Sequence, residues 1–281
     1  MVGLAAKREA AEILQRDHRM SERRACKVIE LARSTKRHEP KPNEENEVIL
    51  KRLHALAEKK KRFGAPRLHQ LLLREGFKIN HKRTERLYRL AGLSLRCSKK
   101  KRKRLRSEAR APLADAGRPN QHWAMDFVSD QLTGGGRFRS LTVVDIFTRE
   151  SLEIEVARSL PSARVVEVLN RLKFLRGKPE TIIVDNGPEM ISLALDQWAY
   201  ENGVNLQFIQ PGKPVQNAFI ESFNGTFRDE CLNTHWFYDL DDARSKIKQW
   251  QREYNEENPH RSLGYLTPEE FANQWKLKQT G

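Results

Sequence analysis

The chain has 281 residues and a net charge of +15, from 52 Lys and Arg against 37 Asp and Glu. The charge is unevenly divided. Residues 1–120 carry 34 basic against 14 acidic side chains, a net of +20, whereas residues 121–281 carry 18 against 23, a net of −5. This asymmetry indicates a module that binds a polyanion, with DNA or RNA as the first candidates, joined to a module that uses carboxylates.

Cysteine usage and hydropathy exclude several classes of protein. Cys26, Cys97 and Cys231 form no Cys-x-x-Cys pair and no paired Cys/His spacing, so neither a disulfide framework nor a zinc site is indicated. The N-terminus lacks the apolar run of a signal peptide, and no stretch approaches the ~18 apolar residues of a membrane-spanning helix. We therefore expect a soluble, intracellular protein with no membrane partner.

Residues 4–110 are predicted to be mostly helical, and two segments have the pattern of a helix-turn-helix. In the first, "SERRACKVIELARSTKRH", Ser21 is the expected N-cap and a second short helix is expected from about Ala32. The expected inner face comprises Ala25, Val28 and Ile29. Glu30 stands where the turn of such a motif often has glycine, so an ordinary helical hairpin is the alternative.

The second segment of this kind is "PRLHQLLLREGFKINHKRTERLYRLAGL". It predicts one helix to about Glu75, a turn at Gly76, an N-cap at Asn80 and another helix to about Ala91. The basic residues expected to reach DNA phosphates or a groove are Lys82, Arg83, Arg86 and Arg89. The expected inward face comprises Leu87, Leu90 and Ala91. A helical hairpin without DNA contacts is again the alternative.

The run "KKKRKRLR" at residues 99–106 belongs to a predicted basic linker. Such a charged run either lies in solvent or follows a DNA backbone. By sequence, the chain divides into a helical segment with a candidate helix-turn-helix, 1–40, a helical DNA-binding region, 41–97, the linker, 98–118, and a C-terminal domain with a helical tail, 119–281.

From His122 the pattern changes from helices to strands. "HWAMDFVSD", "SLTVVDIFT" and "SLEIEVA", with "GGG" at residues 134–136, predict three antiparallel strands with a hairpin between the first two. A helix over about 162–176, the strand "TIIVD", the helix "SLALDQWAYENG", the strand "VNLQFIQP" and a further helix follow. This order predicts an α/β domain with a mixed five-stranded sheet and flanking helices, as in RNase H-like folds.

The further helix, "VQNAFIESFNGTFRDECLN" at residues 215–233, has two different faces at 3.6 residues per turn. Its apolar face comprises Phe219, Ile220, Phe223 and Phe227. Its polar face comprises Asn217, Glu221, Asn224 and Arg228. A solvated surface is the ordinary explanation of a polar face. A surface built only for solubility would carry mixed Lys and Glu, however, whereas this one has a single carboxylate among short amides.

Two further carboxylates lie on strands: Asp126 within the first strand, and Asp185 at the end of "TIIVD", where α/β sites tend to lie. Single aspartates at strand ends are commonly turn formers or helix caps. Together with Glu221, however, they would form an oxygen-rich site for two Mg²⁺ ions, with Mn²⁺ as a substitute. Such ions activate an attacking oxygen and stabilise the leaving oxygen of a phosphodiester. Asp145 is a further acidic candidate, for which a structural role is the favoured alternative.

These residues lie in stretches that resemble a known family. "HWAMDFVSD", "VVDIFTRE", "IIVDNGPE", "QPGKPVQNAFIESFNGTFRDECLN" and "YNEENPHRSLGYLTP" closely resemble the second-frame (OrfB-type) product of two-frame bacterial insertion-sequence transposases, in the retroviral-integrase (DDE) superfamily. The resemblance extends to "RFGAPRLHQLLLREGFKINHKRTERLYRL" in the helical part. It implies that Asp126, Asp185 and Glu221 are the catalytic and metal-binding triad, and that residues 119–281 form an integrase-like catalytic core.

The resemblance implies a DNA transposase that cuts at insertion-sequence ends and transfers strands by Mg²⁺-dependent, two-metal phosphoryl transfer. Its implied partners are double-stranded DNA at element ends and target, further copies of the chain on DNA, and an upstream-frame product to which it is fused. The implied location is the bacterial cytoplasm, at the nucleoid. Besides the basic helix, DNA contacts are expected from Lys213, Asn217, Asn224 and Arg228.

Two alternatives from other classes share parts of this pattern. A structure-selective nuclease of the same fold would use the same triad and Mg²⁺ but would only hydrolyse DNA. A DNA-binding regulator, or the remnant of a decayed element, would need no triad, and the intact triad argues against it.

Overall fold

The computed structural model describes residues 3–38, 43–95, 116–187, 189–209 and 218–280. These residues form two compact units, Met1–Ile49 and Leu50–Gly281. The predicted linker lies almost entirely outside the described residues, and the four-part division of the chain remains a prediction. Within the described ranges, no helix has both the length and the apolar composition needed to cross a membrane.

The first unit contains α1 (Leu4–Arg16), α2 (Glu22–Val28) and α3 (Arg33–Arg37). Ser21 caps α2 as predicted, and its hydroxyl oxygen accepts a hydrogen bond from the Arg24 amide at 3.4 Å. Glu30 has a φ of 51°, in the left-handed region that favours glycine. The Leu31 amide donates to the Cys26 carbonyl at 2.9 Å and closes the turn. The turn between α2 and α3 therefore forms without the usual glycine.

One expectation for the first unit is wrong. Val28, expected on the inner face of α2, is 59% exposed, whereas Ala25 and Cys26 are buried. The helix ends at Val28, and the residue buried beyond the turn is Leu31. The buried face of so short a helix depends on the turn that follows it, which the periodicity of the helix does not describe.

Helix α4 (Glu44–Lys59) runs into the second unit, whose helical part continues with α5 (Ala65–Arg74) and α6 (His81–Leu90). The predicted turn at Gly76 and the predicted cap at Asn80 are confirmed, because Gly76 has a φ of 89° and Asn80 Oδ1 accepts from the Lys82 amide at 2.9 Å. A buried hydrogen bond of 2.9 Å between His69 Nδ1 and Thr84 Oγ1 connects α5 to α6. The two helices thus form one packed hairpin.

The inward face of α6 differs from the expected one at its end. Thr84, Leu87 and Tyr88 are buried, whereas Leu90, expected to face inward, is 74% exposed. The chain leaves the helix after Leu90 and turns at Gly92, which has a φ of 67°. The apolar contact with α5 therefore ends one turn earlier than the sequence periodicity indicates.

The sheet has five strands, and its predicted mixed, RNase H-like arrangement is confirmed. The strands are β1 (His122–Gln131), β2 (Arg137–Asp145), β3 (Ser151–Ala157), β4 (Thr181–Val184) and β5 (Asn205–Phe208). Their order is β3-β2-β1-β4-β5, in which β1, β2 and β3 pair antiparallel and β1, β4 and β5 pair parallel. The helices around it are α7 (Ser162–Arg176), α8 (Leu193–Asn202), α9 (Ala218–Glu230), α10 (Leu240–Glu256) and α11 (Pro268–Thr280).

Each face of the sheet contributes to a separate apolar core. Trp123 and Met125 of β1 belong to a core with residues of α7 and α8, whereas Ala124 and Val128 belong to a core with residues of α9 and α10. Successive side chains of a strand point to opposite faces. Asp126 is therefore on the face that α9 and α10 cover.

Asp145, the further acidic candidate, has a structural role. Its side chain is fully buried. Oδ1 accepts hydrogen bonds from the amides of Phe147 and Thr148 at 2.8 and 2.9 Å, and Oδ2 accepts from the Asn120 amide at 2.7 Å. Burial raises the pKa of Asp145, and the three hydrogen bonds oppose that rise. The carboxylate closes the turn after β2 and connects it to the segment before β1.

We expect Asp145→Ala to lower the free energy of unfolding by about 3 kcal/mol or more, because three backbone amides lose a charged acceptor. Equilibrium denaturation of the variant measures the loss. The matched control is Asp241→Ala, whose carboxylate is 89% exposed, and its effect is expected to stay within about 0.5 kcal/mol. A loss for Asp145→Ala no larger than that of the control would contradict the structural role.

Candidate active site

Asp126 and Asp185 lie at the same level of neighbouring strands. β1 and β4 are parallel, and Ala124 pairs with Ile183. Continuing this register by two residues brings Asp126 opposite Asp185, the residue that follows β4. Adjacent strands are about 4.8 Å apart, so the two aspartates are neighbours across the sheet.

Helix α9 brings the third carboxylate to the same face of the sheet. Ile220, Phe223 and Phe227 of this helix belong to the core that contains Ala124 and Val128 of β1. Glu221 is in the first turn of α9, next to Ile220, and is exposed. The apolar side of α9 is thus held on the sheet while the carboxylate of Glu221 stays accessible.

The negative charges of Asp185 and Glu221 both act on Asp126. The pKa of Asp126 is raised, first by burial and then by these two charges. Two hydrogen bonds oppose the rise: the Phe127 amide donates to Oδ1 at 2.7 Å, and Asn224 Nδ2 donates to Oδ2 at 2.8 Å. Both predicted partners are therefore close enough to influence Asp126.

The donor chemistry of this group fits a divalent cation. Carboxylate oxygens are the ligands that Mg²⁺ prefers, and a cation would relieve the repulsion among three of them. Among the described residues, no three His, Cys, Asp or Glu side chains already converge on one ion-sized position. Glu189, in the segment after Asp185, is paired with Arg139. Asp126, Asp185 and Glu221 are therefore the carboxylates that could approach an ion together.

The turn after β4 approaches Asp185 closely. The Gly187 amide donates to Asp185 Oδ1 at 3.1 Å, and a β-carbon at Gly187 would lie 3.0 Å from that oxygen. Asn186 Nδ2 donates to the Ile209 carbonyl at 2.9 Å and so connects the turn to the segment after β5. A side chain at position 187 would therefore crowd the Asp185 carboxylate, and glycine avoids this contact.

The buried side chain of Asn224, on α9, is hydrogen-bonded to Asp126. The expectation that it faces DNA phosphates is wrong, because its side chain is buried. Nδ2 donates to Asp126 Oδ2 at 2.8 Å, and Oδ1 accepts from the Thr142 hydroxyl at 3.0 Å. The same hydroxyl lies 3.0 Å from the Asp126 carbonyl oxygen. Asn224 therefore fixes one oxygen of Asp126 and leaves the other side of the carboxylate to its partners.

Thr142 is a residue of this site that the sequence analysis missed. It is fully buried and pairs directly with Asp126 across β1 and β2. The only sequence signal for it is the register of the hairpin, since a hairpin centred near Gly134 pairs residue 126 with residue 142. A threonine within a strand otherwise indicates nothing more than β propensity.

Comparisons with known proteins agree with this fold. Two profiles described as "Integrase core domain" match residues 116–214 and 202–268, and the profile described as "HTH-like domain" matches residues 43–103. The "Insertion element IS407 uncharacterized 31.7 kDa protein" of Burkholderia multivorans is 52% identical, over 90% of this chain and 91% of that protein. The chain belongs to the insertion-sequence transposases of the integrase superfamily.

A more distant relative agrees with the family, and a solved structure is similar in fold. The "Putative transposase InsK for insertion sequence element IS150" of Escherichia coli is 26% identical, over 77% of this chain and 80% of that protein. The intasome of simian T-cell lymphotropic virus, solved in complex with PP2A regulatory subunit B56 gamma, is similar in fold, with a TM-score of 0.52 and 15% identity over 78% of this chain and 74% of that one. The transposase is thus a polynucleotidyl transferase with an HTH-like region before its integrase core.

The predicted DNA-binding residues of the transposase on α6 are accessible. Lys82, Arg86 and Arg89 are exposed, and Arg83 is half-buried. Arg89 pairs with Glu85 one turn earlier at 2.5 Å. Such a surface ion pair contributes about 0–1 kcal/mol, so a phosphate can replace the carboxylate at little cost. The contact of these residues with DNA remains a prediction.

The remaining predicted DNA contacts are on or near α9. Arg228 is exposed, and its guanidinium is 3.5 Å from the Ser129 carbonyl, a long contact that leaves its other donors for a phosphate. Lys213 and Asn217 lie outside the described residues. Of the four DNA contacts predicted in this region, Asn224 is buried beneath α9 and Arg228 is accessible.

We expect Asn224→Ala to lower the rate of DNA cleavage by the transposase about tenfold or more, and to raise the Mg²⁺ concentration needed for half of the maximal rate, because Asp126 loses the donor that orients it. A titration of cleavage rate against Mg²⁺ measures both. The control is Thr226→Ala on the same helix, whose hydroxyl donates to the Ser222 carbonyl at 3.0 Å. Identical titrations for the Asn224→Ala and Thr226→Ala variants would remove Asn224 from the site.

Proposed function

We propose that this transposase cuts DNA at the ends of its insertion sequence and joins the freed 3′ ends to DNA by Mg²⁺-dependent phosphoryl transfer. The observation that carries the proposal is that the register of β1 and β4 brings Asp126 opposite Asp185, on the face of the sheet on which α9 packs and near which Glu221 lies. Carboxylates held near one another at a partly enclosed site repel, and such an arrangement is typical of a site that binds a cation or carries out a reaction.

Asp126, Asp185 and Glu221 are the residues that would hold the metal, with two Mg²⁺ ions or Mn²⁺ in their place. Bound Mg²⁺ would supply activation of the attacking oxygen and stabilisation of the leaving oxygen. The chain itself contributes orientation. Asn224 and the Phe127 amide each hold one oxygen of Asp126, and the Gly187 amide holds one oxygen of Asp185. The site is therefore partly preorganised by hydrogen bonds from three different elements.

Two nucleophiles would use this one site in turn. Water first attacks the phosphodiester at the element end, and the 3′-hydroxyl that this releases then attacks a second phosphodiester. Each step exchanges one phosphorus–oxygen bond for another, so no covalent intermediate with the protein and no redox partner is needed. One set of carboxylates suffices because both steps have the same charge development at phosphorus.

DNA would be held by basic groups on two elements. Lys82, Arg86 and Arg89 on α6 are exposed and would supply phosphate contacts. Arg228 is two turns beyond Glu221 on α9, about 10 Å along the helix axis, which is close enough to contact a phosphate near the one that reacts. Arg83, Lys213 and Asn217 are further candidates.

The working assembly would contain more than this chain. We infer that several copies hold two element ends together, that one end attacks the other to form a circular intermediate, and that an upstream-frame product is fused to the chain. These proposals follow from the family and from the need for two ends in one joining reaction. Their setting is bacterial DNA, so we place the protein at the nucleoid in the cytoplasm.

We expect Asp185→Asn and Glu221→Gln each to lower the rate of cleavage of labelled element ends by at least about 100-fold. Each variant removes a negative charge that would hold the metal ions, and these ions stabilise the transition state by several kcal/mol. Binding to the same duplex should be nearly unchanged, since phosphate contacts are made elsewhere. Glu201→Gln, an exposed change on α8, is the control. Cleavage near the control rate by either variant would exclude that carboxylate from the reaction.

A joining assay separates the transposase from a nuclease of the same fold. A duplex that ends in the 3′-hydroxyl left by end cutting is incubated with the protein, Mg²⁺ and a second, unlabelled duplex. We expect labelled products longer than the substrate, because the hydroxyl replaces water as nucleophile. Only shortened products, at protein concentrations that cut intact ends, would support the nuclease instead.

A further inference from the structure

A row of ion pairs in the second unit joins two parts of the sequence, one of which contributes only basic side chains and the other only acidic ones. Its basic side chains all come from residues 59–74 and its acidic ones all from residues 229–270. The pairs, called here the ionic joint, are Lys59–Glu257, Lys60–Glu253, Lys60–Glu257, Arg62–Asp229, Arg67–Glu230 and Arg74–Glu270. The joint thus connects the HTH-like region to the last helices of the integrase core. Complementary charges of this kind fix the register of two surfaces more than they stabilise them.

Two pairs of the joint are more enclosed than the others, Lys60–Glu253 on α10 and Arg67–Glu230 on α9, and only the second reaches the helix that carries Glu221. The Glu230 side chain is 9% exposed, and its Oε1 accepts from Arg67 at 2.6 Å while Oε2 accepts from Asn258 Nδ2 at 3.2 Å. Arg62 and Asp229, next to it in sequence, are 43% and 53% exposed. An exposed pair contributes little to stability, whereas removing one partner of a buried pair leaves the other charge buried without compensation.

Glu230 is not explained by the stability of its own helix. It is the last residue of α9, where the helix dipole is negative and a carboxylate is unfavourable. Burial raises the pKa of Glu230, and the positive charges of Arg67 and Lys60 oppose that rise. The position is favourable only when Arg67 is in place, so the carboxylate makes the end of α9 dependent on the HTH-like region.

Arg67 is held in one geometry. Its guanidinium carbon is 4.0 Å from the centre of the Phe63 ring, one nitrogen donates to the Arg62 carbonyl at 3.1 Å, and another donates to Glu230. A planar guanidinium fixed on three sides defines both direction and distance, which a flexible lysine ammonium does not. Arg67 is in the first turn of α5.

A continuous set of contacts therefore runs from the predicted DNA-binding helix to the catalytic helix. α6 is joined to α5 by the buried His69–Thr84 hydrogen bond, and α5 is joined to the end of α9 by Arg67. Glu221 is nine residues before Glu230, about 13 Å along the same helix. A shift at the joint would be transmitted along α9 to that carboxylate.

Resting on the proposed function, we propose that the Arg67–Glu230 pair sets the distance between the DNA-binding hairpin α5–α6 and the carboxylates, and thereby selects which phosphodiester is cut at an element end. Both residues are positioning residues, because neither contacts the reacting atoms. The pair acts on where the cut falls rather than on whether the site can cut.

The test maps cut positions at single-nucleotide resolution. The full chain and its variants are incubated with Mg²⁺ and a labelled duplex of the terminal sequence that flanks the gene. Arg67→Gln and Glu230→Gln should each lower the rate of cutting at the wild-type phosphodiester by about 10- to 100-fold and add cuts at neighbouring positions, since a displacement of about 1 Å in a reacting geometry costs a factor of this size. Affinity for the duplex should be unchanged.

A double variant tests whether the two residues act through each other. Arg67→Gln combined with Glu230→Gln should be no more impaired than either single variant, because the contact is already lost. The matched control is Arg62→Gln with Asp229→Asn, the exposed pair beside it, which should cut as the wild type does. If Glu230→Gln does not give a folded protein by thermal unfolding, Arg67→Lys replaces it: lysine keeps the charge but not the fixed geometry, so displaced cuts are again expected.

The outcomes separate this proposal from the proposed function. Cutting by the single variants at the wild-type position and rate would overturn the role of the pair while leaving the transposase activity intact. Additive losses in the double variant, or equal displacement by the Arg62 and Asp229 control, would also overturn it. Failure of the wild-type protein to cut any terminal duplex would instead contradict the proposed function.

Discussion

Apolar packing on one side of α9 holds like charges together on the other. Phe223 and Phe227 pack against Trp250 of α10 as tilted ring pairs with centroids 5.8 and 5.0 Å apart, and the Phe223 ring meets the Tyr254 ring edge to face at 5.0 Å between centroids. Burying one such ring contributes about 1.5–3 kcal/mol. Two carboxylates about 5 Å apart repel by about 3 kcal/mol at an effective dielectric constant of 20. Several rings therefore outweigh the repulsion, and the fold can keep the carboxylates near one another before any cation binds.

Hydrogen bonds, in addition to apolar packing, hold Asp126 in position. The half-buried Asp126 carboxylate loses part of its solvation, and its pKa would rise further without the Phe127 amide and Asn224. Asn224 is itself satisfied by Thr142, so the polar groups beneath α9 form a small closed network. Such networks are costly when incomplete and specific when complete. Asp126 is therefore held in position by the fold, whereas the exposed side chain of Glu221 can adjust when a ligand binds.

Much of this arrangement was predictable from local patterns. Alternation along β1 assigns Asp126 to one face, the apolar run before Asp185 identifies β4, and periodicity identifies the apolar side of α9. The pairing of Asp126 with Asp185 was not predicted, because β1 and β4 are far apart in sequence and their register depends on the whole sheet, whereas the pairing with Thr142 follows from the hairpin and was missed. The triad was selected by family resemblance as much as by pattern, since no local signal distinguishes Asp126 from Asp145, which the structure assigns to a turn.

The wrong expectations share one physical cause. Val28, Leu90 and Asn224 all lie at the border of a predicted helical face or at a helix end. Periodicity gives the direction of a buried stripe, but its width and its end depend on the neighbouring element. Asn224 is the informative case, because a polar residue on the border of the stripe is buried when a partner for both of its amide atoms exists beneath it. Here Asp126 and Thr142 are those partners.

The two ends of α9 are in opposite electrostatic surroundings: Glu221 is near other carboxylates, whereas Glu230 is paired with Arg67. Their separation of about 13 Å along the helix exceeds the Debye length of about 8 Å at physiological ionic strength, and Glu221 is exposed to solvent. The charge of one therefore has little direct influence on the other. What connects them is the helix itself, packed along its middle by Phe223 and Phe227, so any influence of the ionic joint on the carboxylates has to be geometric.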